Sequence, residues 1–410
     1  MLTDTSYKFI DFTENTLNNI YKSPSIKLGQ PAKKLICLLF NRIAYANEMW
    51  KPNKHLITYT YNVNVNIDIS YYPDTIQDSV NKDILMYDKA AFTVGERHIN
   101  LFVGHISNIA KHELEKIVKR TYIWLTIASF FADISCSQTL DIYLSMVEDI
   151  KKLPTSNMQY IDREHINTAF TYACKKDNEI HIFRKEEWFK VLIHESFHSF
   201  GLDFAKFKYI NTNHEILKIF NVVADVRIFE SYCEFWAEVI NAMFVVFFST
   251  KWNENQNKWL QTCINKLQVL LSNEQTFSLF QCAKILSYYQ LQYADILHQN
   301  GGTKSPNTNY RDKTHVLSYY IIKSLFMYHM NEFMEECIRI NGYSINFNKD
   351  DSSIEENMHN YCKLVGILHD KPEFIRELNN MSSFVATNAA YRGAPSKIQH
   401  SLRMALYELK

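Results

Sequence analysis

Nothing in the 410 residues forms a disulfide scaffold: the eight cysteines, at 37, 136, 174, 233, 263, 282, 337 and 362, make no Cys-x-x-Cys pair and no dense cluster. Charge of one sign is missing too. Lys plus Arg and Asp plus Glu each number 44, so no whole-molecule field draws the chain to nucleic acid or an anionic membrane. The most apolar runs, 121–131 and 239–248, are far shorter than the roughly 20 residues of a membrane span, and read as buried core elements. The N-terminus, MLTDTSYKFIDF, has no apolar core and no small-residue cleavage site of a secretory signal. Together these place the protein in a reducing, intracellular setting with neither nucleic acid nor membrane as partner. Glycine (9) and proline (8) are scarce, while Asn, Ile and Lys are frequent, a bias that carries no chemistry.

What is present is a large hydrophobic fraction, 47%, in a chain long enough for a full core and more than one subdomain. Residues 56–70, LITYTYNVNVNIDIS, alternate with the period of two of a half-buried strand, and a short strand is expected at 100–103. Residues 106–120 carry a helical pattern that 121–131 either continues or replaces with a buried strand. A strand at 140–146 and a hairpin of 168–173 with 179–183 around Lys175-Lys176-Asp177-Asn178 follow. From Lys185 the pattern turns helical and stays so through most of 214–300. A Gly-Gly and Pro-containing linker is expected at 299–313, then helix over 314–340, a polar loop over 341–353 and helix beyond. The expected organisation is a mixed region at 1–130, a core at 131–250 and a helical region at 251–410.

The segment WFKVLIHESFHSFGLDF holds His194-Glu195-Ser196-Phe197-His198. Positions four apart share a helix face, so both imidazoles can reach one ion while Glu195 projects beside them toward a metal-bound water. A third ligand is needed. A histidine six residues past His198 would extend the motif, but Phe204 stands there and the neighbouring Asp203 is out of register. A glutamate on a following helix is the other solution, and FESYCEFWAEVINAMF offers Glu230, Glu234 and Glu238. Glu234 and Glu238 share a face, so Glu234 can bind the ion while Glu238 accepts a hydrogen bond from a ligand imidazole. Glu230 reads as a surface carboxylate, and Cys233 projects about 100° away from Glu234.

His194-Glu195-x-x-His198 followed by Glu234-Phe235-Trp236-Ala237-Glu238 resembles the gluzincin metallopeptidases of the thermolysin and lethal-factor types. The wider pattern, with Lys-Lys-Leu-Pro and the hairpin ahead of Arg184-Lys185-Glu186-Glu187-Trp188, is more loosely similar to uncharacterised metallopeptidase-like proteins of large DNA viruses, which would place the chain in a virion or cytoplasm. The resemblance covers about residues 179–244. It implies an α+β, zincin-like fold: a small mixed sheet with a hairpin edge strand packed on the active helix, followed by a mainly helical C-terminal region. It implies one Zn²⁺ held by His194, His198 and Glu234, Glu195 as general base, Glu238 supporting a histidine, and a peptide or protein substrate. The oxyanion donor is open among Tyr232, His315, Tyr319 and Tyr320. The strand before the active helix, with Glu179, Ile180, His181 and Ile182, is where an extended substrate would pair. The competing reading keeps the metal and drops catalysis, as a zinc-binding interaction module; the intact Glu195 weighs against it.

Overall fold

The computed structural model describes residues 2–19, 26–107, 109–208, 210–298 and 306–410, together with the backbone of residue 20. It is a mixed α+β protein built on one open sheet of six strands: β1 (Thr58–Val63), β2 (Met86–Val94), β3 (Arg97–His105), β4 (Thr139–Val147), β5 (Ala169–Thr171) and β6 (Asp177–Arg184). Their spatial order is β1-β2-β3-β4-β6-β5. β4 runs parallel to β3 and to β6, and the remaining pairs are antiparallel. The alternation at 56–70 becomes a strand only to Val63, where the register slips against β2. Sequence reading passed over β2, which forms a tight hairpin with β3 around Gly95; that glycine's φ of +58° is the left-handed conformation such a turn requires.

The principal helices are α1 (Asp4–Phe12), α2 (Gln30–Asn53), α3 (Asp74–Asp83), α4 (Lys111–Phe131), α5 (Trp188–Ser199), α6 (Ile228–Ser249), α7 (Gln256–Tyr288), α8 (Lys323–Tyr328), α9 (Met330–Asn341), α10 (Ile354–Leu368) and α11 (Pro372–Thr387). The patterns read over 106–120 and 121–131 thus meet in one helix, α4, which starts at Lys111, and the C-terminal half is helical as expected. Of the expected linker at 299–313, residues 299–305 lie outside the described residues. The expected boundary near 130 does not partition the sheet, which takes three strands from either side of it. One hydrophobic core contains residues from Phe9 to Leu409.

All twelve residues of α5 are buried, because β5 and β6 cover one side and α6 the other. α6 is long and apolar enough to cross a membrane by length and composition, yet 89% of its apolar window is buried inside the protein. Here it is the central core helix. The final residues, 401–409, are buried without forming a helix or a strand. Their backbone is satisfied by side chains: Met404 and Ala405 N–H donate to Glu187, Leu406 and Tyr407 N–H to Glu274, and the Ser401, Leu402 and Met404 carbonyls accept from Lys284, Tyr320 and Lys323. Buried backbone needs such partners wherever no ladder supplies them.

Candidate metal centre

α5 begins at Glu187, whose φ of +61° turns the chain sharply out of β6, and it ends in a Schellman turn. Leu202 N–H donates to Phe197 O at 2.7 Å and Gly201 N–H to His198 O at 3.0 Å, with Gly201 at φ +62°. A side chain at Gly201 would be strained by that φ, and its Cβ would meet the Cys136 sulfur at 3.0 Å. A Cys136–Cys174 disulfide packs on this turn, while the other six cysteines are free, so no disulfide scaffold forms. Because the turn reverses the chain, Asp203 comes back to His198, and Nδ1–H donates to its Oδ2 at 2.5 Å. Helical register at the sequence level excluded Asp203; the helix has already ended at Ser199, so that register does not apply.

α5 and α6 face each other through two stripes of residues four apart. Lys190, His194 and His198 lie along α5; Glu230, Glu234 and Glu238 lie along α6. Lys190 is bound to Glu234 Oε1, and Nδ1–H of His194 donates to Glu234 Oε2 at 3.0 Å. The Nε2 atoms of the two histidines point at Glu230 instead, at 3.0 Å for His194 and 3.3 Å for His198, and lie 3.3 Å from each other. The carboxylate that faces both Nε2 atoms is therefore one helical turn from the expected Glu234. Both Glu234 oxygens are taken by Lys190 and by the far nitrogen of His194, whereas Glu230, expected at the surface, is 6% exposed and faces the open nitrogens. Glu238, expected to support an imidazole, lies a further turn along and accepts from Lys323 at 2.7 Å. The sequence signal for this register is Lys190. A lysine four residues before His194 on a wholly buried helix demands a carboxylate opposite it, and Glu234 is that partner.

His194, His198 and Glu230 each offer one ligand atom, all buried, in a group that could hold a metal ion. Donors at about 2.0–2.1 Å from a tetrahedral ion stand about 3.4 Å apart. The observed 3.0–3.3 Å separations are close to that spacing. Electrostatics agree. Burial opposes charge on Glu230, but the two imidazoles hold its carboxyl well below the usual range. Burial likewise opposes charge on His198, but Cys233, Glu230 and Asp203 push it well above its ordinary value. Positive charge is thus favoured at this cluster. Cys233, with Sγ 3.8 Å from His198 Nδ1 and 3.5 Å from Asp203, is on the side of that ring away from Glu230.

Glu195 is buried beside both histidines, and its carboxyl is raised by that burial. No hydrogen bond ties its carboxylate to another described residue, and it lines both cavities that meet at the cluster. The larger, about 460 Å³, is an open cleft walled by β5, Arg227, His315 and Tyr319.

Of the four candidate oxyanion donors, two reach this cleft. Tyr319 sits in a π-helical segment, Leu317–Ile322, with its ring 6.0 Å from that of His194. Burial raises its hydroxyl well above the usual value, and the carboxylates of Glu230, Glu195 and Glu234 add to this. His315 has a left-handed φ of +61° and donates from Nδ1 to Asp225 O at 2.7 Å. Tyr232 and Tyr320 are core residues, with hydroxyls on Ile345 O and Leu402 O.

The expected substrate strand also moves. β6 is interior, since Ile180, His181 and Ile182 pair with β4 on one side and β5 on the other, and Glu179 pairs with Asp141 while its carbonyl accepts from Thr171. His181 is packed between Tyr72 and Phe170. β5 is one of the sheet's two edge strands, and its Ala169, Phe170 and Thr171 line the cleft. Comparison with family models, curated proteins and solved structures found no match to this chain.

Proposed function

We propose that the chain is a zinc-dependent peptidase on a zincin-like fold, with His194, His198 and Glu230 as the residues that would hold the ion. The observation that carries this is the pairing of a three-donor cluster with an untethered buried carboxylate, Glu195, opening on the same cleft. A purely structural zinc site needs no such base. Bound zinc would polarise a carbonyl and lower the pKa of water toward roughly 7.

The chain's own residues divide the remaining work. Glu195, raised by burial, takes the proton of the attacking water and returns it to the departing amine. Tyr319 donates toward the oxygen that becomes negative on the substrate carbonyl. Asp203 and Glu234 each accept the Nδ1 proton of one histidine, which fixes Nε2 as the ligand atom. β5 offers its free edge to an extended peptide, so the scissile bond comes to lie over the cluster.

The test is a mixed peptide library, with wild type and Glu195→Gln compared alongside elemental analysis. Glu195→Gln should keep one zinc and lose about 10²- to 10⁴-fold in rate. A variant that keeps most of the activity contradicts the role of Glu195. Zinc in the wild type without any cleavage would favour the interaction module.

A further inference from the structure

The smaller cavity beside Glu195, open to solvent on one side, has a volume of about 50 Å³. Its walls come from the active helix (Val191), from the edge strand (Ala169), from the π-helical segment (Tyr319) and, unexpectedly, from the last residues of the chain, through Met404. Two ammonium groups also line it, but neither is free: Lys151 is bound to Glu187 and Lys190 to Glu234. Glu195 and His194 also line it but belong to the proposed reaction centre, so no charged group outside that centre is left in it to receive an acidic or a basic side chain. Size is then the discriminating property. A cavity of about 150 Å³ takes a benzene ring and a water needs about 10–15 Å³, so this one holds a methyl or hydroxymethyl group and excludes a ring.

The floor is fixed rather than sliding. Met404 N–H donates to both Glu187 oxygens at 3.2 Å, its carbonyl accepts from Lys323 at 3.3 Å, and its sulfur lies 3.9 Å from Lys190 Nζ. The backbone is therefore anchored on both sides of a side chain that lines the pocket.

We propose that Met404, delivered by the C-terminal segment, sets substrate specificity. The residue that lies on β5 next to Glu195 must carry a small uncharged side chain, of the alanine or serine class. This rests on the peptidase reading of the cleft, and the experiment keeps the two apart by measuring binding rather than turnover.

Full-length protein is loaded with zinc, the metal is counted, and two peptidyl hydroxamates differing only in a methyl or a benzyl group are titrated calorimetrically. The methyl compound should bind about tenfold tighter or more. In Met404→Ala the preference should shrink or reverse, with Met404→Val, which opens less space, as the second variant if alanine does not fold. Equal or tighter benzyl binding by the wild type overturns the proposal. So does a zinc-loaded protein that binds neither compound, or a methyl preference unchanged in either variant. Failure to take up zinc removes the peptidase reading itself, and this inference with it.

Discussion

Glu230 and Glu234 differ by one helical turn, about 5.4 Å along α6, and that turn decides which carboxylate meets Nε2 and which meets Nδ1. Supporting carboxylates on the far nitrogen typically change metal affinity by about 10- to 100-fold. Asp203→Ala should therefore weaken zinc by that factor while leaving the fold intact, as read by competition with a chromogenic chelator; an unchanged affinity would remove Asp203 from the site. Tyr319→Phe should keep zinc and lower the turnover rate by about 10²-fold, the usual loss for one oxyanion donor, with little change in KM. At this scale the sequence was legible where chemistry is local. His194, Glu195 and His198 follow from helical spacing alone, and they converge as expected. The third carboxylate was not, because three glutamates on one face are equivalent until the neighbouring helix fixes the register, and Asp203 is reached only through a turn set by Gly201.

At the scale of elements, periodicity located β4, the β5–β6 hairpin and α5, since each presents one period to one environment. It placed the substrate on β6, because nothing local distinguishes an interior strand from the edge when the hairpin partner lies outside it. The C-terminal segment was invisible for a different reason. SLRMALYELK has no period, and its burial depends on carboxylates and ammonium groups from α7, α8 and the start of α5. Removing residues 404–410 leaves Glu187, Glu274 and Lys323 short of partners in the interior, at about 1–3 kcal/mol for each such group. Truncation before Met404 should accordingly unfold the protein or lower its denaturation midpoint sharply, as followed by circular dichroism. A truncated chain as stable as the full one would show that the segment is only laid on the surface.

For the molecule as a whole, the interior holds an ionic network that links this segment to the active helix: Lys151 with Glu187, Lys190 with Glu234, Lys323 with Glu238 and Arg403 with Glu408. Its pH response has a defined sign. Burial would raise Glu187, but Lys151, Lys190 and Arg403 bring it down to about 2. A carboxyl lower in the folded than in the unfolded chain, where it lies near about 4.3, stabilises fully above that pH. The contribution is lost as pH falls from there toward 2. Urea midpoints at pH 7, 4.5 and 2.5 should drop more steeply in the wild type than in Glu187→Gln, which lacks the titrating group. Parallel pH profiles would refute this assignment.

All of these predictions depend on which residues close around the ion, and zinc content in three proteins tests that most directly. Wild type, Glu230→Ala and Glu234→Ala are dialysed against limiting zinc and assayed by elemental analysis with a chelator competition for affinity. One zinc per chain is expected in the wild type, none retained in Glu230→Ala, and one retained but about 10- to 100-fold weaker in Glu234→Ala. Zinc held normally by Glu230→Ala and lost from Glu234→Ala would reverse the two carboxylates and contradict the site as described.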